Sequence, residues 1–360
     1  MKKPSLKNLR EQLQKKDREI VKLLNERTEL SLEAGKAKNA QGREVYDPSQ
    51  ENKVYDYIRE INQGPLPDKA LKDIFREIIS SSRTLQEPTM VAYLGPEASF
   101  SYLAAQSHFG ASARYYPQRR VSEVFGEVER DRIAWGVVPV ENSLEGSVKE
   151  TLDRLIETPL HIRAEIFRRI SHALISHGAT MAEIKRVYSH PQALAQCQAW
   201  LKKKLPLASL IEVASTAAAM ERLEQDREAA AIGSPLAAAT YGLRIITEGI
   251  EDSPSDTTRF FVIGRGQSVA TGKDKTSMLF ATSHAPGALY LALGPFAKAR
   301  INLTRIESYP MRDRIGKYLF FIDFAGHRNE AKVKKCLAAV ESETYLLKIL
   351  GSYPRGEETA

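Results

Sequence analysis

Residues 135–148 read WGVVPVENSLEGSV. Trp135, Val137, Val138 and Val140 make the short apolar run of a buried strand. The run breaks at Glu141, Asn142 and Ser143, and a helical segment begins near Ser147. In open α/β sheets ligands bind beyond the carboxyl ends of strands, so three polar residues there are placed to line a pocket. A polar turn with Asn and Ser as helix caps explains the same residues. Two further polar clusters beside β-like runs, Ser189-His190-Pro191-Gln192 and Asp256-Thr257-Thr258-Arg259-Phe260, favour the pocket.

Strand and helix segments alternate outward from this stretch. Residues 91–94 predict a strand that leads through Gly95-Pro96-Glu97-Ala98-Ser99-Phe100-Ser101 into a helix near Tyr102. A helix at 121–130, a strand at 134–140 and a helix at 147–156 follow, and 162–176 reads mainly as strand. Val187-Tyr188 runs into the Ser189 cluster and a helix carrying Gln196 and Cys197. Ser215-Thr216 opens another helix, and 229–232 and 259–263 are strands. This order predicts a mostly parallel sheet in two lobes around a cleft. No strand is followed by a GxGxxG loop, and Gly264-Arg265-Gly266 lacks the third glycine, which argues against a nicotinamide dehydrogenase.

Upstream, residues 5–38 contain no internal proline, and Leu6, Leu9, Leu13, Ile20, Leu23, Leu24 and Leu30 recur at helical spacing. Such a helix is ~50 Å long and must pack along other helices, including those of a second copy. A second helix starts with Asp47 as N-cap and Pro48 at its first position, runs through Ile61 and stops before Gly64-Pro65. A third carries Leu71, Ile74, Phe75, Ile78 and Ile79, then Ser82 and Gln86. Arg27 and Lys38 lie eleven residues apart, close to three turns, so they share a face. Arg10 points elsewhere, ~25 Å along the axis, and can join them only from a partner chain. Solvated cations on an amphipathic helix are the plainer reading.

Downstream, 264–275 is a polar, glycine-containing linker. Strands at 278–283, 303–309, 317–324 and 345–350, with helices at 286–299 and 329–342, give the ferredoxin-like order βαββαβ.

The chain has 360 residues, 42% of them hydrophobic, and a net charge of +7 from 52 basic and 45 acidic residues, enough for two or three packed domains. The basic residues are scattered through helices, which argues against a nucleic-acid surface. Two cysteines outside any metal-ligand spacing predict a reduced, cytoplasmic protein. The N-terminus lacks an apolar core, and no stretch is long enough to span a membrane.

The segments LREQLQKKDREIVKLLNERTEL, GKAK, YDPSQE and EIISSSRTLQ, in order across residues 1–88, resemble the all-helical chorismate mutase family. The resemblance implies two intertwined chains. Arg10 comes from the partner, Arg27 and Lys38 from the same chain, and Asp47, Glu51, Ser82 and Gln86 complete the pocket. Chorismate is a dianion whose rearrangement is pericyclic, so a site accelerates it by holding the reactive conformer with Arg–carboxylate pairs. Lys38 and Gln86 would face the ether oxygen, where negative charge grows. Gln50 stands where the family usually has arginine, and locally it pairs with Asp47 in a capping box.

GPEASFS, GVVPVENSLEGSV, YSHPQALAQC, STAAA and DTTRFFVIG, in order over residues 90–267, resemble the prephenate dehydratase family. This implies two lobes related to the type II periplasmic binding proteins, with the active site between them. It makes Thr258 the main catalytic residue, with Asn142, Ser143, Ser189 and Gln196 shaping the site. Prephenate loses carbon dioxide and its ring hydroxyl as the ring becomes aromatic. Thr258 is expected to donate a hydrogen bond to the leaving oxygen, polarised by Arg259; alternatively Arg259 binds a carboxylate bidentately. His190, before a proline in a turn, reads as structural more readily than as the acid, and Cys197 as a small buried hydrophobe.

HAPGALYLAL and NLTRIESYP resemble the ACT domain, over residues 275–353. Gly287, Ala288 and Leu289, with Glu307 and Ser308, are implied to bind phenylalanine as a feedback inhibitor; Tyr309 replaces the family's usual arginine. A purely structural dimerisation domain is the alternative. Together the resemblances imply a bifunctional enzyme of phenylalanine synthesis. It acts on chorismate and prephenate without a cofactor or metal, as a homodimer or larger homo-oligomer, with no nucleic-acid or membrane partner. Arogenate dehydratase is the nearest alternative and no motif separates it; a non-catalytic amino-acid sensor is argued against by the intact DTTRF and GKAK segments.

Overall fold

The structure, a computed structural model, describes residues 5–42, 45–311 and 318–357. Lys317, expected to open a strand, lies outside them. The chain divides into two units. One runs through Thr89 and includes Phe109–Arg114; the other is Met90–His108 with the chain from Tyr115 onward.

The first unit is built from α1 (Leu6–Ala40), α2 (Pro48–Ile61) and α3 (Asp68–Gln86). Ser5 Oγ caps α1 by accepting from Asn8 N–H at 3.3 Å. Asp47 Oδ1 caps α2 by accepting from Gln50 N–H at 3.1 Å, with Pro48 in the first turn where its missing N–H costs nothing. Both α1 and α2 pack on α3. Gly35 is the buried residue of α1. Leu6, Leu13, Ile20, Leu23 and Leu30 are each more than half exposed.

The second unit opens with β1 (Met90–Leu94), α4 (Phe100–Phe109), β2 (Arg114–Gln118), α5 (Val121–Glu129), β3 (Trp135–Asn142), β4 (Gly146–Ser147), α6 (Lys149–Glu157) and β5 (His161–Arg169). The chain then crosses to a second lobe of β6 (Ala173–Ser176), β7 (Arg186–Ser189), α7 (Pro191–Gln196), α8 (Gln198–Lys204), β8 (Ser209–Glu212), α9 (Thr216–Gln225), β9 (Ala229–Gly233), α10 (Pro235–Thr240) and β10 (Arg244–Glu248). It returns to the first lobe as β11 (Thr257–Gly264).

Both sheets are mixed, which corrects the expectation of a mostly parallel one. The first has the order β2-β1-β3-β11-β5, with β4 beside β3. There β1 and β3 are parallel, while β11, coming back from the other lobe, enters antiparallel to both neighbours. The second has the order β10-β6-β9-β7-β8. In it β7 is parallel to β8 and β9, whereas β6 is antiparallel to β9 and β10. The stretch 162–176, read as mainly strand, is β5 and β6 in two different sheets, because residues 170–172 carry the chain from one lobe to the other.

The C-terminal part comprises β12 (Asp274–Ala281), α11 (Ala288–Lys298), β13 (Leu303–Pro310), β14 (Tyr318–Ala325), α12 (Ala331–Ser342) and β15 (Leu346–Pro354), with sheet order β13-β14-β12-β15. This is the ferredoxin-like arrangement. Met278, Phe280, Phe296 and Val333 fill the core under its helices. Its other face (Leu279, Phe321, Leu350, Tyr353) shares one core with Val138, Phe261 and Ile263 of the first lobe and with α5 and α6. Residues 264–275, the expected linker, are mostly exposed but pinned at one point: Ser268 is buried and its Oγ donates to the Arg163 carbonyl at 3.1 Å. Lys348 Nζ, from β15, donates to the carbonyls of Leu155, Ile156 and Thr158 at 3.1, 2.9 and 2.6 Å, satisfying the carboxyl end of α6.

Candidate active sites

In the helical unit, Arg27 and Lys38 from α1, Asp47 and Glu51 from the start of α2, and Ser82 and Gln86 from α3 line one cavity of about 180 Å³. Gln86 Nε2 donates to Ser31 Oγ at 2.9 Å and to the Ser82 carbonyl at 3.2 Å. A Cβ on Gly35 would collide with the Gln86 carboxamide, so glycine there leaves Gln86 its place in the cavity wall. Arg10, exposed on α1, does not line this cavity.

Two cavity residues refine the sequence reading. Gln50, in place of the expected arginine, does line the wall. So does Arg83, which sequence reasoning missed because it looks like one more helix cation. It is buried, and its guanidinium spans Glu51 Oε1 (2.7 Å), Thr89 Oγ1 (3.2 Å) and the Phe109 carbonyl (2.8 Å). Burial pushes the Glu51 carboxyl above its ordinary range, against the opposing pull of Arg83 and Lys38. Three cations and two carboxylates thus surround a small cavity, a charge pattern suited to a dianion that also carries a hydroxyl.

In the two-lobed region the segments that cross between lobes are bonded side by side. Ile170 N–H donates to the Asp256 carbonyl at 2.8 Å, and His172 N–H to Glu251 Oε2 at 2.9 Å. Asn142, at the end of β3, meets Thr258, at the start of β11, beside this crossing. Asn142 Oδ1 accepts from Leu144 and Glu145 N–H at 2.9 and 3.1 Å, so its Nδ2 must point the other way. That amide donates to Asp256 Oδ1 at 2.8 Å and to Thr258 Oγ1 at 2.9 Å. The Thr258 oxygen is thereby an acceptor, and its own proton is left to donate. Ser143 Oγ donates to the same Asp256 oxygen at 3.2 Å and accepts from Thr257 N–H at 3.0 Å.

Gln196 reaches this cluster through His172 Nε2, 2.8 Å from its Oε1. Burial holds the His172 imidazole below its ordinary value, with Gln196, Glu251 and Asp256 pulling the other way without reversing it. Asp256 Oδ2, His172 Nδ1 and Arg168 Nε are all buried without a hydrogen-bond partner. Buried polar groups are seldom left so, and three of them lie at this crossing. Ser189 is not brought into the cluster: fully buried, it donates to the Ile232 carbonyl at 3.1 Å inside the second lobe. His190 caps α7, its Nδ1 accepting from Gln192 N–H at 3.3 Å, and Cys197 is buried in the second-lobe core.

Arg259 is corrected outright. On a strand successive side chains alternate, so Arg259 leaves on the face opposite Thr258. It is buried, bonded to Glu165 Oε2 (2.9 Å), Asp323 Oδ2 (2.5 Å) and Tyr353 Oη (3.1 Å), with Lys275 sharing Glu165. It neither polarises Thr258 nor faces the crossing; it ties β11 to the C-terminal sheet.

In the C-terminal domain Gly287 precedes α11 in a left-handed conformation (φ 81°), with Ala288 and Leu289 in the first turn. Glu307 accepts from Ser147 Oγ at 2.5 Å and pairs with Arg305, while Ser308 is exposed on the edge strand β13. Tyr309 points the other way, donating to Asp153 Oδ1 at 2.6 Å with its ring edge-on to Phe321.

A helical pocket for a dianion, a two-lobed region with a threonine poised to donate at the crossing, and a ferredoxin-like domain define a class: enzymes with two separate sites for small carboxylates on one chain. Residues 9–87 match the family model described as chorismate mutase type II, and residues 91–268 the one described as prephenate dehydratase. The bifunctional chorismate mutase/prephenate dehydratase of Aquifex aeolicus (strain VF5) is 44% identical over 354 residues, covering 97% of this chain and 98% of that protein. The protein of the same description from Stutzerimonas stutzeri is 41% identical over 356 residues, with the same two coverages. A solved prephenate dehydratase from Arthrobacter aurescens, in complex with L-Phe, is 35% identical with a TM-score of 0.69, covering 74% of this chain and 90% of that one. The chain belongs to the bifunctional chorismate mutase/prephenate dehydratase family, joining an isomerase and a lyase. Among the described residues no helix is long and apolar enough to cross a membrane.

Proposed function

We propose that the helical unit rearranges chorismate to prephenate and that the two-lobed region converts prephenate to phenylpyruvate, in the cytoplasm and without a cofactor. Arg27, with Arg10 of a second copy, holds the two carboxylates so that the reactive conformer is bound. Lys38 and Gln86 face the ether oxygen as its C–O bond breaks. Glu51, held by Arg83, accepts from the substrate hydroxyl. The exposed apolar row of α1 supports a homodimer, since a second copy is what would both cover it and supply Arg10.

In the dehydratase site Thr258 donates to the ring hydroxyl as it departs, while the carboxylate carbon leaves as carbon dioxide and its bonding electrons complete the aromatic ring. Asn142 sets this up by occupying the threonine oxygen, and Asp256 and Ser143 hold Asn142. The observation that carries the assignment is this oriented chain, Asp256–Asn142–Thr258, beside three unpartnered buried polar atoms. Phenylalanine is the effector, held between the Gly287-Ala288-Leu289 turn and Glu307-Ser308. The bond from Ser147 to Glu307 joins that region to the loop following Asn142 and Ser143.

Pure protein given chorismate alone is expected to form phenylpyruvate after transient prephenate. Thr258→Ala is expected to stop at prephenate, with dehydratase turnover down about 10²-fold or more and mutase turnover unchanged. Near-normal dehydration by that variant would refute the assignment of Thr258.

A further inference from the structure

With Arg259 committed to the opposite face, the dehydratase site lacks an assigned cation for a substrate that carries two carboxylates. The register of the first sheet supplies one. Thr258 lies between Asn142 on β3 and Arg168 on β5 as direct cross-strand partners. Directly opposed residues of antiparallel strands project to the same face with Cβ atoms about 4.5–5.5 Å apart. Arg168 therefore shares the face that carries the Asn142–Thr258 bond.

The neighbouring arginine does not compete for this role. Arg169 projects to the other face, is half exposed, and lies 3.9 Å from Glu251. Arg168 is half-buried and forms no ion pair or side-chain hydrogen bond among the described residues, and its Nε is buried without a partner. Burial pulls its guanidinium down from the ordinary value, and no carboxylate offsets the pull. A desolvated cation without an anion is costly to hold in a fold, and a fixed Arg fork fits a carboxylate bidentately. Two residues further on, Ile170 N–H donates to the Asp256 carbonyl, so the backbone that presents Arg168 is tied to the Asp256–Asn142–Thr258 chain.

We propose that Arg168 is the cation that binds one carboxylate of the cyclohexadiene dianion in the dehydratase site, setting the ring against Thr258. The proposal rests on reading the Thr258 face as that site. Its test uses the full-length protein with Arg168→Leu, Arg168→Lys and Thr258→Ala. The readouts are steady-state dehydration of prephenate at low and high salt, calorimetric binding of prephenate, and thermal melting.

Arg168→Leu is expected to raise the prephenate KM about 10- to 100-fold, to lower kcat less, and to flatten the salt dependence of KM. Arg168→Lys restores part of the affinity. Melting of the Leu variant stays at or above that of the parent, because an unpaired buried charge has been removed. A KM within about twofold of the parent in both Arg168 variants, or a loss of turnover that tracks a fall in melting temperature with KM unmoved, overturns the proposal. Thr258→Ala separates the two readings. If it binds prephenate but does not turn it over, the site stands and the Arg168 result is decisive; if it turns prephenate over normally, the site itself is misplaced.

Discussion

At the level of single residues the proposed dehydratase site turns on which atom of Asn142 faces Thr258. Two backbone N–H groups occupy the carbonyl oxygen of Asn142, and this alone commits the threonine to donate outward. His172, on the crossing segment beside it, gives the site a pH response. The folded protein holds its imidazole below the ordinary value of 6.5, chiefly by burial. Between the lowered value and 6.5 the unfolded chain binds more protons, so stability falls as pH drops through 6.5 and continues falling until the folded value is passed. Urea midpoints measured from about pH 8 down to about pH 5.5 are expected to decline, and less steeply in His172→Asn. Parallel declines would show that His172 is not the sensor, leaving His161, whose imidazole burial lowers in the same sense, to account for the slope. The sequence pointed to Asp256-Thr257-Thr258-Arg259 as a unit, yet a motif does not say which sheet face each member takes. In the sequence Arg259 therefore reads as a site residue, and Arg168 does not stand out.

At the level of elements, strong signals gave accurate boundaries. Asp47-Pro48 opens α2 where the cap and the first-turn proline require it, and α1 begins after Ser5. Besides the two-residue β4, the strands that escape sequence reading are β2, β8 and β10. All three are sheet edges without a buried residue, so they carry neither a continuous apolar run nor a clean alternation. The helix α1 shows the opposite case, an unmistakable periodicity that its own unit does not bury. Ile20→Glu places a charge in the exposed apolar row and is expected to leave the helix intact while splitting the proposed dimer. Sedimentation should then report a smaller species and mutase kcat/KM should fall at least about 10-fold, with dehydration of added prephenate retained. A dimer that persists with full mutase activity would remove α1 as the interface and Arg10 as a shared residue.

At the level of the whole molecule, the ferredoxin-like domain and the first lobe of the dehydratase are one folding body, because the second face of the C-terminal sheet completes the core of the lobe. Arg259, Glu165, Lys275 and Asp323 form a buried charge cluster within that junction. Removing one member leaves unpaired charge inside, so Arg259→Met is expected to lower stability by about 3–5 kcal/mol. Calorimetry should show the dehydratase and C-terminal transitions moving down together. A variant that melts like the parent but has lost prephenate affinity would instead return Arg259 to the substrate site. Tyr309, bonded to Asp153 in the same junction, faces the lobe and packs into the shared core. By itself the sequence determined the order of the helical, two-lobed and ferredoxin-like regions, the helical caps, and the family whose motifs contain Thr258, Asn142, Lys38 and Gln86, since these depend on local periodicity and spaced motifs. Only the tertiary structure decided that Arg83 lines the helical cavity, that Ser189 is withdrawn from the Asn142–Thr258 cluster, and that Arg168 rather than Arg259 shares the face of Thr258. Each of these depends on strand register and on burial between segments far apart in the chain, which no local pattern encodes.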